Sequence, residues 1–425
     1  MTSDKMILGE NVVYSTDPDE TGLNNNVIVC GSSGSGKTMS IVEPILLETF
    51  HSSLIVTVTK RKIVKKYASV FSERGYTIEE LNFVEPTEST VSYDPLQFIA
   101  SYADILFLAE SIVYANPRKE RSNSDPYWDE AAVSLLCALI AVVLGTIDNA
   151  SFADVLKLLS KLSFVDCDGQ ISTSLDSQFA VIAKKDPNGF ALSCWKSFRK
   201  LPIKTASCVF STLNATVDKI FNPELRQMIE KPEKIDLEAL ASQKTILFIS
   251  SSAVNPALTC FINMFYAQAF KTLFEYAESF PDGKLPIPVR MLCDDFATGG
   301  RILNFPEYIS IFREKGISTM LLLQSESQLE SMYGNEDAIT IINNCDTYIY
   351  MGGMDIKTGR SVSERLNLPL DEVLYMPLGQ IFVFRRGQKP IITTRYDILK
   401  NKEYQKITDQ YEKWHTNDLD RELSD

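Results

Sequence analysis

Apolar positions follow two different rhythms along this chain. Asn26–Cys30 (NVIVC) reads as a strand; a glycine-rich loop follows, then a helix to about Phe50. Ser53–Thr59 (SLIVTVT) is a second strand and Ile63–Gly75 a second helix. Strands that are apolar at nearly every position, alternating with helices, predict a mainly parallel α/β sheet. From Ser101 to Arg199 the rhythm turns helical with almost no strand signal. It predicts helices at Ala103–Tyr114, Trp128–Thr146, Phe152–Ser163, Ser174–Lys185 and Gly189–Phe198. Strands return at Thr245–Ser250, Pro288–Cys293, Ser318–Gln324 and Thr347–Met351, with a late pair near Gln380–Arg385 and Pro390–Thr393. The pattern predicts one α/β unit built from residues 1–100 and 200–400. An all-α domain, 101–199, interrupts it, and a charged tail, 401–425, follows.

Composition narrows the classes of function. Of 425 residues, 45% are hydrophobic and 23% charged, which is globular composition. Acidic residues outnumber basic ones, 55 to 42, for a net charge of −13. A surface that grips duplex nucleic acid everywhere is therefore excluded, although a local basic channel is not. Lys60, Arg61, Lys62, Lys65 and Lys66 form the one basic run that could steer DNA; an amphipathic solvated helix would show the same run. Eight cysteines fall singly without a C-x-x-C, which reads as reduced thiols rather than a disulfide frame or zinc site. Two histidines, His51 and His415, are too few for a multi-His metal centre. The first residues lack the basic and apolar regions of a signal peptide. Ala131–Ile147 carries no charge and sits at the lower limit for a membrane span. Asp129, Glu130 and Asp148 bracket it tightly, so a buried helix in a soluble chain is expected.

The firmest chemical signal is Gly31-Ser32-Ser33-Gly34-Ser35-Gly36-Lys37-Thr38, a full match to G-x-x-x-x-G-K-[ST] between a strand and a helix. Glycines let successive backbone N–H groups turn inward around a phosphate chain, and the helix adds its positive end. Lys37 can reach the β- and γ-phosphates of ATP, and the Thr38 hydroxyl can bind Mg²⁺. The partner of such a loop is an acidic residue at a strand end. Val289-Arg-Met-Leu-Cys-Asp294-Asp295 supplies it, with Asp294 expected on the metal and Asp295 expected to polarise the attacking water. Paired carboxylates at a strand end also serve as plain turn caps. The long gap between Lys37 and Asp294 points away from a small switch GTPase and towards a RecA-like motor core. Gln324 ends a further strand at the same expected sheet edge, where it can sense the γ-phosphate or simply cap the next helix.

Taken together, these residues resemble the soluble part of the type IV secretion coupling proteins. Asp94-Pro95-Leu96 is similar to that family's short element before its insertion, and Trp128-Asp-Glu-Ala131-Ala132 to its entry into the all-α domain. Asp294-Asp295-Phe296 stands where the family carries D-E-F. The stretch Gly316–Gly353 is most similar, with Gln324-Ser325, Gln328-Leu329, Tyr333-Gly334 and Asn343-Asn344-Cys345-Asp346-Thr347. The resemblance spans about Gly9 to Tyr396. It implies a RecA-like P-loop NTPase fold, ATP and Mg²⁺ as cofactors, Asp295 as catalytic acid and Gln324 as sensor. Arg313 falls where the family places an arginine that reaches a neighbouring subunit's nucleotide; from the sequence alone it is one cation on a polar helix face.

Three features depart from the family. Asp295 replaces the usual Glu, Thr59-Lys60-Arg61 replaces D-P-K, and the N-terminal membrane anchor is missing, either by nature or by trimming. The resemblance implies an ATPase that couples a DNA–protein substrate, the relaxosome, to a secretion channel. It would act as a homo-oligomeric ring, a hexamer by analogy, on single-stranded DNA and relaxase. It would lie in the cytoplasm at the inner face of the membrane, with a partner subunit making the membrane contact. Two alternatives stand beside it: a nucleotide-switched receptor with little hydrolysis, and a chromosomal DNA-pumping or helicase-like ATPase.

Overall fold

The computed structural model describes residues 3–114, 126–167, 170–252, 255–296 and 300–422. An N-terminal hairpin comes first, β1 (Lys5–Gly9) against β2 (Val12–Ser15). The main sheet uses β3 (Val27–Cys30), β4 (Ser53–Val58), β5 (Thr77–Asn82), β8 (Thr245–Ser250), β9 (Val289–Cys293), β10 (Ile317–Leu323), β11 (Thr347–Tyr350), β12 (Gln380–Arg385) and β13 (Ile391–Thr394). A second hairpin, β6 (Phe164–Cys167) and β7 (Gln170–Thr173), stands apart. The nine strands lie in the order β13-β12-β11-β3-β10-β9-β4-β8-β5. All neighbours are parallel except β11–β12 and β12–β13. The expected mainly parallel α/β sheet is thus present, with an antiparallel hairpin along one edge.

Side chains alternate across a strand, so each strand feeds two cores. On one face Val27, Val29, Leu54, Val56, Phe248 and Leu322 pack with Ile41 and Ile45 after the glycine-rich loop, and with Ile63, Tyr67 and Phe71 of the helix Lys62–Glu73. On the other, Ile28, Ile55, Leu247, Met291 and Leu321 meet Phe261, Phe265 and Phe270 of the long helix Pro256–Glu278. That second core runs without a break into the helical insertion. Within it the helix Pro126–Thr146 buries Leu135 through Ile140 at 1% exposure or less. The uncharged run is a core helix, as its bracketing carboxylates suggested.

Two parts of the chain differ from expectation. The insertion contains β6 and β7, and helical structure continues past residue 199 through Ile203–Ile220, Pro223–Glu230 and Leu237–Ser242. Every residue of β6 is at least partly exposed, so no apolar run announced it. The tail is no loose extension. The helix Lys402–Glu422 buries Tyr404 and Ile407 against the helix Lys62–Glu73, and Glu403 pairs with Arg74 at 2.8 Å. Residues 423–425 of the predicted tail lie outside the described residues.

Candidate functional site

Parallel strands present their C-terminal ends to one edge of a sheet, and loops there form the ligand crevice. The registers place Cys30 of β3 beside Leu323 of β10, while β9 flanks β10 on its other side. The segments that follow these strands therefore converge: Gly31–Thr38, Gln324, and Asp294-Asp295. Gly31 N–H donates to the Leu323 carbonyl at 3.1 Å and Ser32 N–H to the Gly352 carbonyl at 2.9 Å, which tie the loop to both neighbouring strands. Gly36 has φ +88°, a region open to glycine, and a Cβ there would meet Arg395 Nη1 at 2.7 Å. After the loop the helix opens as a wide π turn, Thr38–Val42, before regular α geometry from Glu43 to Leu47. Pro44 explains the wide turn: its ring crowds the carbonyl four residues back and removes one N–H.

The charged groups of the site are close-set. Lys37 is 9% exposed. Its Nζ donates to the Gly31 carbonyl at 2.6 Å and the Ser32 carbonyl at 3.3 Å, so it folds over the loop that would hold phosphates. Burial draws its pKa down, and the carboxylates of Asp294 and Asp295 pull the other way. The Thr38 hydroxyl donates to Asp294 Oδ2 at 3.4 Å, which joins the loop to the acidic strand end. Asp294 Oδ1 accepts the Asp295 N–H at 3.1 Å. Asp295 has φ +50°, where Asp is one of the few side chains found readily. A left-handed turn at this point suits the shorter acid that departs from the resembled family.

Burial pushes the Asp294 carboxyl above the ordinary carboxylate range, and the negative Asp295 beside it adds to the push. A carboxyl raised on folding favours its protonated form in the native state. Stability is then fullest below the unfolded pKa, about 3.9, and falls as pH rises through the folded value. Asp294→Asn is therefore expected to raise the unfolding midpoint of the nucleotide-free protein at neutral pH, with the gain shrinking towards pH 4. Thermal scans across that range check it, and a variant less stable at pH 7 would contradict it.

The structure separates the remaining predicted residues. Gln324 is exposed beside the loop, and the next helix, Glu326–Tyr333, is capped by Ser325 instead. Its side chain is thus not spent on capping. Arg313 lies elsewhere, exposed near the end of the helix Phe305–Lys315, at the start of β10. β10 is seven residues long, so about 20 Å separates Arg313 from the loop of its own chain.

The basic run does not form an open channel. Arg61 pairs with Glu80, Glu85 and Glu88, and Lys66 is buried against Glu43 at 3.0 Å. Lys62 and Lys65 sit over the rings of Tyr411 and Trp414 at 5.4 and 5.3 Å. Lys60, Lys62 and Lys65 remain exposed, so three of the five charges face solvent while Arg61 and Lys66 are paired. Sequence reasoning also missed several residues of the crevice. Arg395, just past β13, donates from Nη1 to the Ser35 carbonyl at 2.6 Å. Thr57, Thr59, Ser252 and Asn263 line a pocket shared with Asp294 and Asp295. Short polar residues scattered over the chain carry no motif, and only the sheet order assembles them.

Does a magnesium nucleotide suit these residues? Ser35 Oγ is buried with no hydrogen-bond partner, inside a loop whose glycines leave the backbone clear. Lys37, the Thr38 hydroxyl and the Asp294 carboxylate supply one cation and two hard oxygen donors beside it. The fit is chemically complete.

Sheet order, loop and acidic strand end define a RecA-like P-loop fold. The bacterial conjugative coupling protein TrwBdeltaN70, trigonal form in complex with sulphate, matches it with a TM-score of 0.65 at 16% identity, covering 88% of this chain and 85% of that one. Plasmid coupling protein TrwB in complex with ADP and Mg²⁺ gives 0.64 at 16% identity with the same coverage. VirB4 of Thermoanaerobacter pseudethanolicus gives 0.54 at 12%, covering 93% and 96%. At such identities the likeness speaks for the fold alone. The family model "Type IV secretory system Conjugative DNA transfer" matches residues 1–367, and the chain belongs to that family. Its relatives include the type IV secretion system-coupling proteins VirD4 of Bartonella quintana (strain Toulouse), 24% identical, and of Bartonella henselae (strain ATCC 49882), 23% identical, each over 252 residues. These alignments take in 58% of this chain and 37% of each relative.

Proposed function

We propose that this chain is an ATPase that couples a DNA–protein substrate to a type IV secretion channel and helps power transfer of single-stranded DNA. The observation that carries this reading is the contact of Thr38 with Asp294 at 3.4 Å, which closes the gap between phosphate loop and acidic strand. Loop N–H groups from Ser32 to Gly36 would receive the phosphates, and Lys37 would leave its two carbonyl partners for the β- and γ-oxygens. Thr38 and Asp294 would hold Mg²⁺, which neutralises charge between those phosphates when bound. Asp295 would orient and polarise the attacking water, and Gln324 would contact the terminal phosphate. That TrwB, which shares this fold, has been solved in complex with a non-hydrolysable ATP analogue, and with ADP and Mg²⁺, supports a nucleotide and metal here.

Arg313 cannot serve its own loop across the length of β10, so its role in this reading requires a neighbouring copy. A ring, with six copies by family analogy, would place it there. The helical insertion would read relaxase or its DNA, and membrane contact at the cytoplasmic face would come through partner subunits. A second reading, a receptor switched by nucleotide with little turnover, gains from the short acid Asp295 and the net charge of −13. ATP turnover measured against protein concentration separates the two. The motor predicts a rate per subunit that climbs with assembly and rises further with single-stranded DNA. Tight nucleotide binding with negligible turnover under both conditions would favour the receptor.

A further inference from the structure

Behind Arg313, at the edge of the sheet opposite the phosphate loop, lies a cavity of about 230 Å³. At roughly 30 Å³ per water it has room for a small ion and several waters. Its floor is Arg290, the second residue of β9. An arginine on an interior strand is unusual, because its guanidinium keeps its charge at any pH a protein experiences. Arg290 is 3% exposed, and its Nε and Nη1 are buried without a hydrogen-bond partner. No carboxylate lies within 4.0 Å of it among the described residues. Asp4, the nearest acid by its electrostatic effect, is already occupied. Its two oxygens accept the N–H groups of Phe50, His51 and Ser52 at 2.7 to 2.9 Å. Asp17, also on the wall, accepts the Asp19 N–H. Both acids therefore serve the backbone, and Nε and Nη1 of the buried cation find no acceptor among the described residues.

We propose that this cavity binds a phosphate-class oxyanion, held from within by Arg290 and at the mouth by Arg313. The planar guanidinium fork matches such an ion, and a site screened from water strengthens the contact. This inference does not rest on nucleotide at the phosphate loop. Free phosphate and the phosphate of a nucleotide both present the oxygens this site requires.

The test must silence the phosphate loop, which would itself take up phosphate, so it is run on Lys37→Ala protein. Calorimetric titration with inorganic phosphate, at fixed pH and ionic strength against chloride, is expected to show saturable binding. The unfolding midpoint is expected to rise by ~1–3 °C at saturating phosphate. Adding Arg290→Met should remove both signals while leaving the protein no less stable in chloride, since an apolar chain of similar length replaces an unpaired charge. A parallel titration with AMP tells the two sources apart: binding equal to that of phosphate marks a nucleotide-borne group, and none marks the free ion. Lys37→Ala protein that shows neither heat nor midpoint shift with either probe would overturn the proposal, and this needs no Arg290 variant to fold. So would a shift that survives Arg290→Met unchanged.

Discussion

Lys37→Ala protein is expected to fold normally and to lose ATP turnover by about 10²–10³-fold, the usual cost of deleting one preorganised electrostatic group. The side chain is nearly buried, and its ammonium spends its donors on the Gly31 and Ser32 carbonyls. Burial already lowers its pKa, so the folded protein carries this charge at some expense. Deleting it removes that expense along with two hydrogen bonds, and the net change in stability should be small. Function is another matter. No other cation among the described residues donates into the loop from the Thr38–Asp294 side; Arg395 reaches it only at the Ser35 carbonyl. Turnover at saturating magnesium ATP, together with an unfolding midpoint near that of the unchanged protein, checks both halves. Activity that survives Lys37→Ala would place the chemistry elsewhere.

Arg313→Ala should cost about 10³-fold or more in turnover by assembled protein and leave nucleotide affinity almost unchanged. Arg313 is exposed, forms no ion pair among the described residues, and stands about 20 Å from its own loop. Such a residue contributes little to the fold. Its removal therefore separates transition-state stabilisation between copies from binding within one copy. Mixing variant with active protein sharpens the test. If catalysis is shared, Arg313→Ala subunits will depress the rate of active neighbours more than dilution alone explains. A loss that follows dilution, or no loss at all, would assign Arg313 to its own surface and to the mouth of the Arg290 cavity.

Burial decided how much of this could be read in the sequence. The central strands β3, β4, β8, β9 and β10 are buried on both faces, mostly apolar, and sit between helical segments, so each was visible within a residue or two. β5 was not. Its sequence, TIEELN, places Glu79 and Glu80 in an edge strand, where charge guards against unwanted pairing and breaks the apolar pattern. The β1–β2 and β6–β7 hairpins are built from strands of four or five residues, and β2 and β6 are also mostly half-buried or exposed, which breaks their apolar pattern in the same way. The helix Ile203–Ile220 interrupts its apolar positions with Ser, Thr and Lys, which blurs its rhythm. Within the site, Gly31–Thr38 was legible because its whole chemistry is contiguous. Asp294 and Asp295 were legible because a strand end carries them. Arg395 and Arg290 were not, since neither belongs to a motif and each gains meaning only from residues far away in the chain. The basic run was legible only in part for the converse reason. Its charges were plain in the sequence, but the carboxylates that pair with Arg61 and Lys66 were not.

One titration bears on the core of this account: calorimetry of ATP into the unmodified protein, with Mg²⁺ and then with a chelator in its place. Saturable binding that weakens sharply without the metal, and disappears in Lys37→Ala, is the predicted result. Binding indifferent to both magnesium and Lys37, or no binding at all, would contradict a nucleotide held between the phosphate loop and Asp294.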